Sequence, residues 1–171
     1  MGTDRGKGAN MADERLEKQV GDALRAKGWT ICAAESCTGG LVMHRLTNIA
    51  GSSDYVLGGV VSYANSAKQH ILHVHQGTLI AYGAVSEQVA AEMATGARDL
   101  FGANIAVSIT GIAGPGGGSA DKPVGLTYIG LAGPDELIIV HRHVWEGDRE
   151  AVKSASAEAA LQLALDTLIG L

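Results

Sequence analysis

An α/β fold is predicted from three observations. Short β-favouring runs alternate along the chain with amphipathic, helix-patterned segments. One run, residues 104–110, is largely apolar and β-branched, as a central strand covered on both faces requires. The composition combines 46% hydrophobic residues and 24 glycines with 4% aromatics, which suits helices packed closely on a sheet better than an all-β sandwich.

The elements follow in order. Residues 1–11 are glycine-rich and aperiodic, so a disordered tail is expected, ahead of one domain over 12–171. Residues 12–27 place Leu16, Val20 and Leu24 on one helical face, and Gly28 supplies the stop. Residues 29–34 form the first strand and 38–47 the second helix. A Gly/Ser loop over 48–54 leads to a strand over 55–63. Asn65 is expected to cap a helix reaching about residue 74, with a turn or short helix over 76–82. Ser86 caps the helix that ends near Phe101-Gly102. After the strand at 104–110 comes a glycine-rich loop over 111–123. Strands over 124–132 and 137–145 are joined by the tight-turn sequence Gly133-Pro134-Asp135. Asp148 caps a last helix to residue 168, its inner face formed by Ala157, Leu161, Leu165 and Leu168.

Charge and cysteine content narrow the function. A net charge of −5 argues against a nonspecific nucleic-acid binder. Cys32 and Cys37 are too few for a disulfide framework, and their spacing is not that of a zinc site. No stretch has membrane-spanning length and no signal-peptide core is visible, so a cytoplasmic protein is expected, with no membrane partner.

The chemistry is expected at Glu35-Ser36-Cys37-Thr38-Gly39-Gly40, a turn between a strand and a helix start. Two nucleophile types stand side by side there, next to N–H groups able to hold developing negative charge. Ser36 needs a base. None of the six histidines sits at a matching strand end, whereas Lys68 falls just beyond the strand ending at Tyr63. To act near neutral pH its pKa must fall by about 3 from about 10.4, and a helix dipole supplies only part of that. A solvated surface lysine is the alternative. Cys37 is the rival nucleophile, with Glu35 and Lys68 assisting, or else a small buried side chain.

The loop 111–118 can line N–H groups around an anion, although it matches neither a Walker A loop nor the dinucleotide fingerprint. Arg149, in the first turn of the last helix, is electrostatically misplaced unless an anion faces it. The pairs His141/His143 and His73/His75 lack a third ligand, so no metal and no cofactor is expected.

The segments AESCTGG, GSSDYVLGGVVSYANSAK, AVSEQVA, VSITGIAGPGGGSADKPVG and GDRE, in this order, closely resemble the CinA C-terminal domain family over roughly residues 12–168. The resemblance implies a three-layer α/β/α sandwich on a mixed, mostly parallel sheet of about five strands, with a C-terminal antiparallel hairpin. It implies hydrolysis of the carboxamide of nicotinamide mononucleotide to nicotinate mononucleotide and ammonia, a step in pyridine-nucleotide recycling. By motif match, Ser36 is the nucleophile, Lys68 its base, Tyr63 a proton relay and Ser53 an assisting hydroxyl. Thr38 and Gly39 would hold the oxyanion. Thr110, Gly111, Gly114, Gly116 and Arg149 would contact the substrate. A homodimer or other homo-oligomer is also implied. A nonenzymatic nucleotide-binding module, linked to competence or damage response, is the alternative in kind.

Overall fold

The computed structural model describes residues 15–171; the tail expected over 1–11 lies outside them. Along the chain come α1 (Leu16–Lys27), β1 (Ile31–Glu35), α2 (Leu41–Thr47), β2 (Val56–Val61), α3 (Asn65–Leu72), α4 (Gln76–Tyr82) and α5 (Glu87–Phe101). Then follow β3 (Ile105–Gly111), β4 (Leu126–Ala132), β5 (Ile138–Val144) and α6 (Arg149–Gly170).

The five strands form one sheet in the order β2-β1-β3-β4-β5. It is parallel across β2, β1 and β3 and antiparallel from β3 through β5. Side-chain alternation divides the core in two. Ile31, Ala33, Ile105, Val107 and Ile109 cluster with Val20, Leu24, Val42, Leu46 and Leu161 of α1, α2 and α6. Cys32, Ala34 and Ala106 cluster instead with Leu72 of α3 and Val89, Met93 and Ala97 of α5. Two helical layers thus enclose the sheet. This is the three-layer α/β/α sandwich, and the β4–β5 hairpin is its antiparallel part.

Ser86 and Asp148 cap as expected, accepting from the N–H groups of Val89 and Ala151. Most element ends shift by one to three residues from the sequence reading, and three of the shifts have a local cause. α2 starts at Leu41 rather than residue 38, because Gly39 and Gly40 adopt φ of 64° and 104° and turn the chain first. Asn65 is the first residue of α3 rather than its cap; Ala64 holds that position and no side chain caps the helix. Residues 52–54 form a 3-10 turn, so β2 begins only at Val56.

One close approach fixes α3. Gly96 of α5 lies against the Leu72 carbonyl, and a Cβ at Gly96 would stand 1.9 Å from that oxygen. Only glycine lets the two helices meet at this distance.

Candidate active site

β1 ends at Glu35, and its ladder extends by one residue on each side. The Ser36 N–H donates to Ile109 O of β3 at 3.0 Å, and the Ser62 N–H, just past β2, donates to Glu35 O at 2.8 Å. The three parallel strands therefore end in one row. α3 leaves directly from β2, and α6 begins shortly after β5 reaches the same edge. Residues from five elements meet where open α/β sheets hold their ligands.

Lys68 lies inside this edge. Its Nζ stands 3.0 Å from Ser36 Oγ, 2.5 Å from Ser62 O and 3.4 Å from Tyr63 O. It is 1% exposed, which overturns the solvated-lysine alternative. Burial pulls its pKa from 10.5 down to about 8, with the nearby Cys37 thiol acting in the opposite direction. Among the described residues no carboxylate pairs with it. A buried, unpaired ammonium is driven toward the neutral form.

A cavity of about 280 Å³ opens on the pair. Tyr63, Thr110, Gly111, Gly114, Gly116 and Arg149 line it beside Ser36 and Lys68, so eight of the expected site residues meet. Arg149 donates from Nη1 to Gly114 O at 2.8 Å and from Nη2 to the Tyr63 hydroxyl at 3.0 Å. The Tyr63 hydroxyl thus accepts from Arg149, while its backbone carbonyl faces Lys68 Nζ. Thr110 Oγ1 donates to Ala84 O at 2.8 Å, holding Ala84 and Val85 against the cavity. These two residues and Asn65 also line it, although the sequence reading gave them no place in the site. Their signals were position and motif: Asn65 follows the exit of β2 within GSSDYVLGGVVSYANSAK, and Ala84-Val85 open AVSEQVA just before the Ser86 cap.

Other expected members lie elsewhere. Glu35, 1% exposed, accepts from the N–H groups of Val42 (2.9 Å) and Met43 (3.2 Å). It caps α2 and does not assist a nucleophile. The Gly39 N–H is already donated to Ser36 O at 3.1 Å, so it cannot serve an oxyanion. Among the described residues no backbone carbonyl takes the N–H of Cys37 or Thr38. Thr38 and Gly39 border a different cavity, on the other side of the turn.

Cys37 lines the Ser36 cavity, yet burial pushes its thiol from 9.0 up to about 11, the reverse of an activated cysteine. Ser53 is exposed and precedes β2, whereas the site lies beyond its far end. A strand of that length puts it roughly 20 Å from Ser62. Among the described residues no group of three His, Cys, Asp or Glu side chains is placed to hold a metal. None of the described helices is long and apolar enough to cross a membrane.

A family model described as the CinA C-terminal domain matches residues 13–168 of this chain. A protein of Enterobacter agglomerans, nicotinamide-nucleotide amidohydrolase PncC, is 49% identical over 162 residues, covering 93% of this chain and 99% of its own. A CinA-like protein of Salinibacter ruber is 52% identical over 156 residues; the match covers 91% of this chain but only 38% of that larger protein. Two solved structures share the fold. The competence/damage inducible protein CihA from Agrobacterium tumefaciens has a TM-score of 0.86 at 42% identity, over 90% of this chain and 93% of its own. A CinA superfamily protein from Klebsiella pneumoniae has a TM-score of 0.87 at 36% identity, over 91% and 97%.

Proposed function

The chain belongs to the CinA C-terminal domain family, and on that premise we propose that it hydrolyses the carboxamide of nicotinamide mononucleotide, with Ser36 as nucleophile and Lys68 as base. The likeness to the Enterobacter protein over nearly the full length of both chains supports an amidohydrolase. The observation that carries the Ser–Lys route is the 3.0 Å contact between Lys68 Nζ and Ser36 Oγ in a buried setting.

A neutral lysine has two N–H groups and one lone pair. Two carbonyls, Ser62 O and Tyr63 O, lie within reach of the N–H groups, so the lone pair can accept the Ser36 hydroxyl proton. Ser36 Oγ then attacks the amide carbon, and its proton passes to Lys68. The N–H groups of Cys37 and Thr38 receive the oxyanion. The intermediate collapses, the C–N bond breaks, and Lys68 returns the proton so that the nitrogen leaves as ammonia. Water deprotonated by Lys68 attacks the ester, releasing nicotinate mononucleotide and restoring Ser36. Arg149 and the N–H groups of Gly116 and Gly117, which no described acceptor takes, are the anion-binding groups of the cavity. The same reading includes a single domain over 12–171, a cytoplasmic setting, no cofactor and a homo-oligomer.

The test is ammonia release from nicotinamide mononucleotide by the wild type, Ser36→Ala and Cys37→Ala, with chelator present. Activity lost in Ser36→Ala and kept in Cys37→Ala is expected. Loss in Cys37→Ala alone would transfer the reaction to the thiol. No ammonia from the wild type, with the nucleotide still raising its Tm, would leave a binding module.

A further inference from the structure

The glycine loop over 111–123 lines the Ser36 cavity through Gly114, Gly116 and Gly117, and the segment just after α4 lines it through Ala84 and Val85. Backbone bonds close the loop at its neck and its tip. At the neck the Ile112 N–H donates to Leu126 O at 2.9 Å and the Gly125 N–H to Ile112 O at 2.8 Å. At the tip the Ser119 N–H donates to Lys122 O at 2.7 Å, and the Lys122 N–H to Ser119 Oγ at 3.1 Å. Between them the backbone of 113–118 takes part in one hydrogen bond among the described residues, from Arg149 Nη1 to Gly114 O. Four of those six residues are glycine, so the stretch has much conformational freedom to lose when it is ordered.

α4 is held as lightly. None of its side chains is buried, and Ile80 is 78% exposed. At its start, Glu92 of α5 accepts from the His75 N–H at 2.8 Å and from the Thr78 hydroxyl at 2.7 Å. At its end, Lys122 Nζ donates to Tyr82 O at 2.5 Å. The last carbonyls of a helix lack intrahelical donors and carry the negative end of its dipole, so a cation there is doubly favoured. Gly83 opens the way: its φ is 75°, and a Cβ at this position would stand 2.9 Å from Lys122 Nζ. The tip of the glycine loop is thereby tied two residues ahead of Ala84, whose own carbonyl accepts from Thr110 Oγ1. Lys122 itself does not line the cavity.

We propose that Lys122 is a positioning residue for the substrate: its bond to Tyr82 O holds the glycine loop and the segment carrying Ala84 and Val85 at the spacing that binding requires. The proposal rests on the amidase reading, and it assigns Lys122 to binding and not to the chemical step. Without the tie, the loop must be ordered as the substrate enters, and that cost appears in KM.

The experiment compares the wild type with Lys122→Met, which keeps the stem and removes the donor, and Lys122→Arg, which keeps a cationic donor; each is checked for an intact thermal transition. In ammonia-release assays with nicotinamide mononucleotide, Lys122→Met should raise KM about three- to ten-fold, the usual worth of one hydrogen bond, with kcat within about two-fold of wild type. Lys122→Arg should recover most of that loss. Thermolysin should cut ligand-free Lys122→Met faster than wild type within both 76–85 and 111–123. An unchanged KM, a fall in kcat as large as that in kcat/KM, or Lys122→Arg as impaired as Lys122→Met would each overturn the proposal. A raised KM with unchanged cleavage would also overturn it, because Lys122 would then touch the substrate directly. A wild type that releases no ammonia would sink the amidase reading; the cleavage rates then decide the tie alone, faster in both segments supporting it and unchanged rejecting it.

Discussion

Lys68 Nζ lies 3.0 Å from Ser36 Oγ, and both residues are buried at the sheet edge although 32 positions separate them in the chain. Backbone carbonyls, Ser62 O and Tyr63 O, make the other polar contacts of Nζ. Such a site holds a neutral amine as readily as it orients one. Lys68→Met should therefore lower kcat by about 10²–10⁴-fold, the usual worth of a general base. Lys68→Arg should fail to the same extent, since a guanidinium cannot give up its proton. Steady-state ammonia assays decide this; substantial activity in Lys68→Arg would remove Lys68 from the base role.

The pH dependence follows from the same burial. With Lys68 at about 8 in the folded chain, kcat/KM should rise with pH through about 8 and then level off. The folded value lies below the ordinary 10.5, so between about 8 and 10.5 the unfolded chain binds more protons and stability rises with pH. Below about 8 the cost of burying the charged form is present in full. Denaturant midpoints should then show Lys68→Met more stable than the wild type at pH 7, by a margin that shrinks toward pH 10. A margin independent of pH would contradict the burial argument.

Gly96 determines where Lys68 can sit. A methyl group at this position meets the Leu72 carbonyl, so Gly96→Ala must push α3 away from α5. Overpacking of this kind costs about 1–3 kcal/mol, which lowers Tm by several degrees in a chain of this size. Because α3 carries Lys68, kcat should fall as well, by up to about 10²-fold for a shift near 1 Å. A Tm loss with kcat intact would show that the helix yields without moving the lysine.

Glu35 offers the opposite separation. Its carboxylate takes the N–H groups of Val42 and Met43 at the start of α2 and touches no reacting atom. Glu35→Gln weakens that cap and should cost about 1–2 kcal/mol in chemical denaturation. The kcat of the folded fraction should stay within a few-fold of wild type. A loss comparable to that of Lys68→Met would instead place the carboxylate in the reaction.

The elements were legible because their signals are local. Ser86, Asp148 and Gly28 mark helix ends through bonds made within four residues, and Gly133-Pro134-Asp135 turns its hairpin where it stands. Ser36, Lys68, Thr110 and Arg149 follow or flank strand ends, and parallel strands place such ends along one edge. Asn65 reads as a cap because an asparagine at a helix start resembles one, but Ala64 takes that position and no side chain caps the helix. Ser53 was carried into the site by its motif, but a whole strand lies between it and the reacting edge.

By itself the sequence determined the α/β class and pointed to the turn at Ser36 and to Lys68 beyond the next strand, since periodicity, turn chemistry and strand-end position are properties of short segments. Tertiary structure decided what those groups became. It buried Lys68 against two carbonyls and so lowered its pKa, raised the Cys37 thiol and turned Glu35 into a cap. Each of these depends on how much water the packed chain excludes and on which side of a turn a group faces. Both are set by contacts between residues far apart in the chain, and no local pattern encodes them.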